Sequence, residues 1–368
     1  MRQQLLLCLI AACAITTTRA TDRVVVPGGG GGTFSTIQSA LDASFAGDRI
    51  LVTPATYSED LTILRGVDIL SNNASQRFTI NGHVDVGTAS ATATTAVTIA
   101  NARILNGIYW GNSTLISRLR LIECTVTGSL SSQHGYGRLE CFRDTIDAMN
   151  MRNGMVAGCR ITSLLLDERL TDGETPIATV VGSEIGDDPQ AQALEFRSNG
   201  WATVQNCIIR GLIRLDDPSN PAANDLTLLN NTIIRTSATP ATVIFESVDL
   251  EVALDVVIRN NLIAGSGSIG PMPTGAIVDY NLVVPLAQVN VSNGQPQLPS
   301  AAVDGGDPNA IHTDLDLSRN DIGCYGGSLS FAQFNSALPT TAIVAMVEVE
   351  RRVVQGSGLN IVGYGYDR

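Results

Sequence analysis

Lysine is absent from this sequence, and its absence excludes several kinds of chemistry. All 23 basic residues of the 368-residue chain are arginines. A lysine general base, a Schiff-base lysine and the lysine of a phosphate-binding loop are therefore excluded. Charged residues form only 16% of the chain and aromatic residues only 5%, whereas about 25% charged residues is usual in globular domains. This composition excludes an acidic disordered tail and a coiled coil.

Positive charge is scarce as well. The 23 arginines stand against 35 acidic residues, which gives a formal net charge of -12. Proteins that bind nucleic acid neutralise its phosphates with basic side chains. We therefore expect no nucleic-acid partner.

The first 20 residues predict a signal peptide. Arg2 supplies positive charge, Leu5 to Ile15 form a short apolar stretch, and Thr18-Arg19-Ala20 is a small-residue cleavage site. We expect a secreted or cell-surface protein. The alternative is a lipoprotein, because residues 10–13 resemble a lipobox that would place a lipid on Cys13. No later stretch reaches the roughly 18 apolar residues of a membrane-spanning helix, so we expect no transmembrane segment.

A six-residue pattern recurs along the chain: an apolar residue, any residue, Asn or Gly, a small residue, any residue, and Ile or Val. Its fourth positions run from residue 102 to residue 281 in eight steps, which is about 22 residues a step. These fourth positions are Ala102, Cys124, Asp144, Cys159, Ser183, Cys207, Asn231, Asn261 and Asn281. A regular period of this length indicates a stacked repeat fold rather than the two or three domains that the length alone suggests.

The pattern predicts two strands that meet at a corner. The third position is Asn or Gly in six of the nine copies, and these residues tolerate a left-handed bend. The fourth and sixth positions then point inward, and a further apolar alternation supplies a third strand. Three strands in about 22 residues make one coil of a parallel β-helix. We expect an all-β solenoid of about eleven coils over residues 21–330.

The fourth position also predicts the state of the cysteines. Cys124, Cys159 and Cys207 share it, but Asp144 and Ser183 lie in the coils between them. Residues two coils apart are about 9.6 Å apart, beyond the limit of about 7 Å between the Cα atoms of a disulfide. We expect free, buried thiols. Later in the same column, the asparagines predict an inward ladder of amide hydrogen bonds.

Both ends of the solenoid are expected to be covered, because open strand edges are a liability. Apolar residues at 34, 37, 40, 41 and 45 predict a short capping helix near residues 33–45, with Thr33 or Ser35 as its N-cap. Residues 331–368 contain strand-like alternation around Gly356-Ser-Gly358, which predicts a β-hairpin. We interpret this hairpin as a cover for the last coil, and a small surface-attachment module is the alternative.

Two segments resemble a known family. Thr36-Ile-Gln-Ser-Ala-Leu-Asp-Ala43 and Gly47-Asp-Arg-Ile-Leu-Val52 resemble the opening of the pectin-lyase-like superfamily. Ala302-Val-Asp-Gly-Gly-Asp-Pro308 and Asp321-Ile-Gly-Cys-Tyr-Gly-Gly327 resemble the closing coils of its exported bacterial members. The resemblance covers about residues 24–330 and implies a right-handed β-helix. It does not imply one activity, because the superfamily includes lyases, hydrolases, esterases and adhesins.

The local catalytic motifs of these enzymes are missing. The sequence lacks the Trp-x-Asp-His and Arg-x-Pro-x-x-Arg elements of the lyases and the Asp-Phe-Ile-Phe-Gly element of the esterases. It also lacks the Asn-x-Asp and Arg-Ile-Lys elements of the hydrolases. The resemblance therefore transfers no catalytic residue to this chain.

The best remaining candidates are acidic residues that follow strands. Asp167 and Glu168 follow one apolar strand, and Asp216 and Asp217 follow another two coils later. These four carboxylates are candidate calcium ligands. Asp187 lies in the coil between, and Arg214 is a candidate positive group or base. The candidate catalytic residues are Asp167, Asp187, Asp216, Asp217 and Arg214. The alternative is that these aspartates only end strands by accepting hydrogen bonds in turns.

Two functions fit these observations. The first is a monomeric, exported protein that binds polysaccharide or cell-surface glycan or has a structural role, with Tyr109, Trp110, Tyr136 or Trp201 as sugar-stacking platforms if they face outward. The second is a polysaccharide lyase or glycoside hydrolase that acts on an acidic polysaccharide through the acidic residues. Since no catalytic motif is identifiable, the binding or structural role is our first hypothesis.

Overall fold

The chain winds through three faces of parallel β-strands, and this winding makes an all-β parallel solenoid. The architecture comes from a computed structural model. It describes residues 20–87, 95–111, 116–132, 137–168, 177–198, 201–216, 224–236, 242–246, 254–265, 267–272, 274–334, 343–349 and 361–366. The predicted fold class is confirmed, while the right-handed sense and the figure of about eleven coils stay predictions.

The first face is a 12-stranded parallel sheet. Its strands are Asp22–Val25, Arg49–Val52, Asp68–Ser71, Thr95–Ala100, Ile116–Ile122, Arg138–Phe142, Gly154–Ala157, Ile177–Val181, Trp201–Gln205, Asn224–Leu229, Leu254–Arg259 and Ile277–Asp279.

The second and third faces form one 18-stranded sheet, because three long strands continue from one face to the other. These long strands are Thr125–Ser132, Thr145–Met151 and Arg160–Glu168. The other strands of the second face are Thr56–Tyr57, Phe78–Ile80, Ala102–Ile104, Glu184–Ile185, Ile208–Arg210, Thr232–Arg235, Leu262–Gly265 and Leu282–Val284. The other strands of the third face are Leu61–Ile63, Val84–Val86, Ile108–Trp110, Gln192–Ser198, Leu212–Asp216, Thr242–Glu246 and Ser268–Ile269.

The corner between the first and second faces is left-handed at every copy of the repeat, as predicted. The nine third positions have φ values between 52° and 64°. They are Asn101, Glu123, Arg143, Gly158, Gly182, Asn206, Asn230, Asn260 and Tyr280. Eight of the nine corners are templated by the next coil, since their N–H groups bond to a carbonyl there, as in Glu123 N to Phe142 O at 2.9 Å. Residues with side chains are therefore held in a conformation that costs roughly 1–2 kcal/mol each.

The fourth positions point inward, and most of them bond to the backbone of the preceding coil. The Cys124 N–H donates to Asp144 Oδ1 at 2.7 Å, and the Cys159 N–H donates to Ser183 Oγ at 3.1 Å. The predicted free, buried thiols are confirmed. Burial raises the pKa of the Cys124 and Cys207 thiols to about 12, so these cysteines pack as small apolar side chains.

The predicted asparagine ladder is confirmed too. Asn231 Nδ2 donates to Asn261 Oδ1 at 3.0 Å, and Asn261 Nδ2 donates to Asn281 Oδ1 at 2.9 Å. The same two Oδ1 atoms accept the backbone N–H groups of Asn231 and Asn261, both at 2.9 Å. Each amide thus links one coil to the next through side chain and backbone together.

The N-terminal helix covers the first coil but is shorter than expected. It spans Ile37–Ala43 and buries Ile37, Ala40 and Leu41. The predicted N-cap, Thr33 or Ser35, is wrong, because Thr36 Oγ1 accepts the Ser39 N–H at 3.1 Å. Thr33 instead donates its hydroxyl to Gly30 O in the preceding turn. The carboxylate of Glu59 accepts the N–H groups of residues 37 and 38 and fixes the helix on the solenoid.

After the last coil the chain returns along the outside of the solenoid, which the sequence did not predict. The residues that resemble closing coils form turns, together with the short helices Leu286–Gln288 and Phe331–Phe334. Their apolar side chains pack on outward residues of the second face: Ala302, Ile322, Cys324 and Phe331 cover Ile208, Ile234 and Leu262. We call residues 285–334 the return segment.

Outward corner asparagines hold the return segment in place. Asn230 Nδ2 donates to Asn320 Oδ1 at 2.7 Å, and Asn260 Oδ1 accepts the Asp307 N–H at 2.8 Å. Farther along, Phe334 reaches the first face and packs against Phe142 and Val181. A Cβ on Gly182 would lie 2.0 Å from the Phe334 ring, so this corner requires glycine for space as well as for its φ angle.

At the C-terminal end, Ile343–Val349 and Ile361–Tyr366 pair antiparallel. This pairing confirms the hairpin, while its role as a cover for the last coil stays a prediction. The signal peptide and Cys13 lie in residues 1–19, outside the described residues. No helix in the described ranges is both long and apolar enough to cross a membrane.

We expect the substitution Asn261→Ala to destabilise the solenoid by about 3 kcal/mol, because it leaves several buried backbone and side-chain groups without partners. Urea unfolding followed by circular dichroism measures the change. Asn72→Ala is the control, since exposed Asn72 bonds to Thr53 Oγ1 and its loss should cost under about 0.5 kcal/mol. Equal losses for the two variants would show that the ladder is not a principal source of stability.

Asp144 should make the stability of the fold depend on pH. Burial raises the pKa of its carboxyl group well above the usual 3.8, while hydrogen bonds from backbone groups act in the opposite direction. The folded state therefore binds this proton more tightly than the unfolded state. The stability gained from protonation is present at low pH, and it is lost as the pH rises above about 4.

Asp144→Asn should remove this loss, because asparagine occupies the same inward position in later coils. We expect the variant to exceed the wild type in unfolding free energy by a difference that grows above pH 4, by up to about 1.4 kcal/mol per pH unit. Urea titrations from pH 4 to pH 8 test this. Asp147→Asn, at an exposed position three residues away, is the matched control. A pH-independent difference would contradict the prediction.

Candidate functional site

One position recurs on the third face in nine successive coils, and it faces outward wherever the side chain is described. Its backbone register links nine residues, which we call the third-face column: Thr62, Asp85, Tyr109, Ser131, Asn150, Leu165, Glu195, Arg214 and Phe245. Neighbouring strands are about 4.8 Å apart, so the column extends over roughly 38 Å. Seven of its nine members carry a hydroxyl, amide or charged group, which makes a polar strip on a flat sheet.

The predicted acidic residues lie beside this column. Asp167 pairs in register with Arg197, and Arg197 pairs with Asp216. The two aspartates are therefore two coils apart on one line, as the sequence indicates, but an arginine separates them. Asp187 is exposed in the loop before Gln192–Ser198 and does not share the line. Its neighbour Asp188 accepts the Gln190 N–H at 2.8 Å, a turn contact.

Some candidates are described only in part. Asp217 lies outside the described residues, and for Asp167, Glu168 and Asp216 the structure describes the backbone. Their calcium-binding and catalytic roles stay predictions. Within the described part of the chain, no three His, Cys, Asp or Glu side chains are placed to hold a metal ion.

Glu195 organises the C-terminal half of the site. It is 7% exposed, and its Oε1 accepts the Nε–H of Arg197 at 2.7 Å. Arg214 Nη1 lies 3.8 Å from the same oxygen, and Gln192 Nε2 donates to Oε2 at 2.7 Å. Arg214, the candidate base, is thus an ion-pair partner of a carboxylate. A guanidinium group carries N–H donors and no acceptor, so Arg214 suits anchoring a ligand better than accepting a proton.

The N-terminal half of the column is more open. The Tyr109 side chain faces outward and is 40% exposed, while its neighbour Trp110 is fully buried. His83 Nε2 lies 3.2 Å from Asp85 Oδ1, and His83 Nδ1 lies 3.0 Å from Asn106 O. Both ring nitrogens therefore lie close to oxygen atoms of neighbouring groups. This half combines an aromatic platform with an imidazole and a carboxylate.

A polar atom in the middle of the column lacks a partner. Asn150 lies two coils from Tyr109, and its Oδ1 is buried with no hydrogen-bond partner among the described residues. A buried amide oxygen without a partner costs free energy. Because this oxygen is covered, it does not itself offer a contact to a molecule on the surface of the column.

Of the four aromatic candidates, Tyr109 faces outward and Trp110 does not. Trp110 is therefore no stacking platform, because alternation along the strand Ile108–Trp110 turns its side chain into the core. Trp201 faces outward on the first face at 45% exposure, and Tyr136 lies outside the described residues. The pairing of Glu195 with two arginines was missed, because it depends on which strands become neighbours. The signal that could have found it is the matching offset of Glu195 and Arg214 within their coils.

Comparison with known proteins finds no matching family model, no matching curated protein and no matching solved structure. The parallel solenoid itself is compatible with a pectin-lyase-like β-helix. Function is therefore inferred from the geometry of the third face.

Proposed function

We propose that this chain is a glycan-binding protein that holds a polysaccharide along the third-face column and has a structural role outside the cell. The observation that carries the proposal is the exposed Tyr109 ring in line with hydroxyl, amide and charged groups. An aromatic face packs against the apolar face of a sugar ring, while polar side chains bond its hydroxyls. A flat column with a regular rise suits an extended polymer better than a small ligand.

Export and family membership belong to the same proposal. The leader over residues 1–20 supports secretion or display at the cell surface, and a lipid on Cys13 is the alternative form of attachment. The residues around Thr36–Ala43 support a right-handed β-helix of the pectin-lyase-like superfamily. We further propose that the protein acts as a monomer, since a solenoid can present one long strip without a partner.

A second candidate function is cleavage of an acidic polysaccharide by a lyase or hydrolase mechanism. The observation that favours it is the line Asp167, Arg197 and Asp216, because aspartates two coils apart have backbones about 9.6 Å apart. Inverting glycosidases hold their two carboxyl groups about 6.5–9.5 Å apart. In this candidate Arg197 pairs with an acidic sugar, and calcium bound by Asp167, Glu168, Asp216 and Asp217 would assist.

The test is binding of the purified chain to immobilised neutral and acidic polysaccharides, followed by calorimetry on the ones retained. We expect Tyr109→Ala to weaken binding about fivefold to tenfold, because a stacking contact is worth about 1 kcal/mol. Trp201→Ala removes a similarly exposed aromatic ring from another face and should leave affinity unchanged. Absence of retention on every polysaccharide, or equal effects of the two variants, would refute binding at this column.

Turnover is followed in the same samples, with and without calcium, as unsaturated product and as new reducing ends. Product formation that Asp216→Asn abolishes would establish the second candidate in place of the first. Retention without product supports a binding protein.

A further inference from the structure

Three arginines surround one carboxylate on the outer side of the first face. Arg120 approaches Glu140 Oε2 with Nη2 at 2.8 Å and Nε at 3.0 Å. Arg138 Nε lies 3.1 Å and Arg118 Nε lies 3.5 Å from Glu140 Oε1. Glu140 is 1% exposed. We call these four residues the arginine cluster.

Strand register explains the cluster. Arg118 pairs with Arg138, and Arg120 pairs with Glu140, on two neighbouring strands. Their neighbours Leu119 and Leu139 point into the core and are fully buried, so alternation sends all four charged side chains outward. In one of these pairs two arginines are therefore neighbours, with backbones about 4.8 Å apart.

The local charge contrasts with the rest of the protein. Three guanidinium groups and one carboxylate give a formal charge of +2 (3 − 1), while the whole chain carries -12. Three guanidinium groups that approach one carboxylate also repel one another, and a bound anion reduces this repulsion.

The guanidinium groups are accessible from solvent. The side chains of Arg118, Arg120 and Arg138 are 46%, 27% and 38% exposed. Arg118 and Arg138 approach Glu140 through Nε, the innermost guanidinium nitrogen, so their Nη groups lie farther out along the side chain. These outer N–H groups have the planar geometry that binds oxyanions.

A shallow groove lies next to the cluster. Ala96 pairs in register with Arg118 on the preceding coil, and it lines a groove of about 320 Å³ with Gly47, Gly66, Val67 and Asp68. The small residues leave room for the uncharged part of a ligand. The Asp68 carboxylate can accept hydrogen bonds from hydroxyl groups of that ligand.

We propose that Arg118, Arg120 and Arg138 bind a sulfate or phosphate monoester group carried on a sugar. Such a group offers three terminal oxygens, one for each guanidinium. A carboxylate offers only two oxygens, which a single arginine can occupy as a bidentate pair. The sugar ring then lies in the groove beside Ala96. This site is on a different face from the third-face column and does not depend on it.

The experiment uses the full chain and one polymer in four forms: dextran sulfate, dextran phosphate, carboxymethyl dextran and uncharged dextran. Calorimetry at fixed ionic strength gives the affinity for each. We expect the sulfate or phosphate form to bind at least about tenfold more tightly than the carboxymethyl form at equal charge density. The tighter of the two identifies the ester. Equal binding of the carboxymethyl form would overturn the proposal, because it would reflect charge alone.

Variants locate the site. Arg118→Gln and Arg138→Gln should each weaken binding of the preferred ester about tenfold. Arg160→Gln makes the same charge change at a 69% exposed arginine of the second face and should have no effect. Glu140→Gln should tighten binding, since it removes the competing carboxylate. Circular dichroism establishes that each variant is folded.

Two results would contradict the proposal. One is that the cluster variants bind the ester with the same affinity as Arg160→Gln, and the other is that folded Glu140→Gln binds the ester more weakly than the wild type. Tyr109→Ala separates this site from the third face. It should leave the ratio of the ester affinity to the carboxymethyl affinity unchanged, whereas the cluster variants should reduce that ratio. A failure of the third-face proposal and a failure of the arginine cluster therefore give different patterns.

Discussion

The hydrogen bonds between equivalent residues of successive coils are the interaction on which the rest of this structure depends. At the left-handed corners from Asn101 to Asn260 the backbone N–H bonds to the next coil. One residue later, an inward side chain such as Ser183 or Asn231 accepts a hydrogen bond from an N–H of the coil before. These contacts set the register of all three faces. Because register is kept, outward residues also stack in columns, and the third-face column and the arginine cluster both arise from this stacking.

The repeat predicted the fold because it is a local property of the sequence. The corner positions alone indicate where each coil bends, and they remain left-handed even where Glu123, Arg143 or Tyr280 replaces the expected Asn or Gly. At Glu123 and Arg143 the hydrogen bond to the next coil imposes the conformation and overrides the local preference. The free thiols and the amide ladder followed from the same register.

What could not be predicted depends on contacts between distant segments. The return segment has no repeat. Its position on the solenoid is fixed by outward asparagines more than 40 residues away, as in the hydrogen bond from the Asp307 N–H to Asn260. The N-cap was misplaced because the helix start is set partly by the carboxylate of Glu59, 21 or more residues downstream. The arginine cluster could not be predicted for a similar reason. Its charges are 20 residues apart in the sequence and become neighbours only when two coils stack.

The return segment also changes how such a solenoid should lose its structure. A simple stack of repeats frays from its ends, because each coil contacts only its neighbours. Here the chain beyond the last coil is fastened to Asn206, Asn230 and Asn260 and then to Phe142 through Phe334. The last coils cannot unfold one at a time unless the return segment, which joins them to the middle of the molecule, is released first. The C-terminal coils and the central coils should therefore behave as one cooperative unit, with the weakest point of the rod displaced toward its N-terminal half.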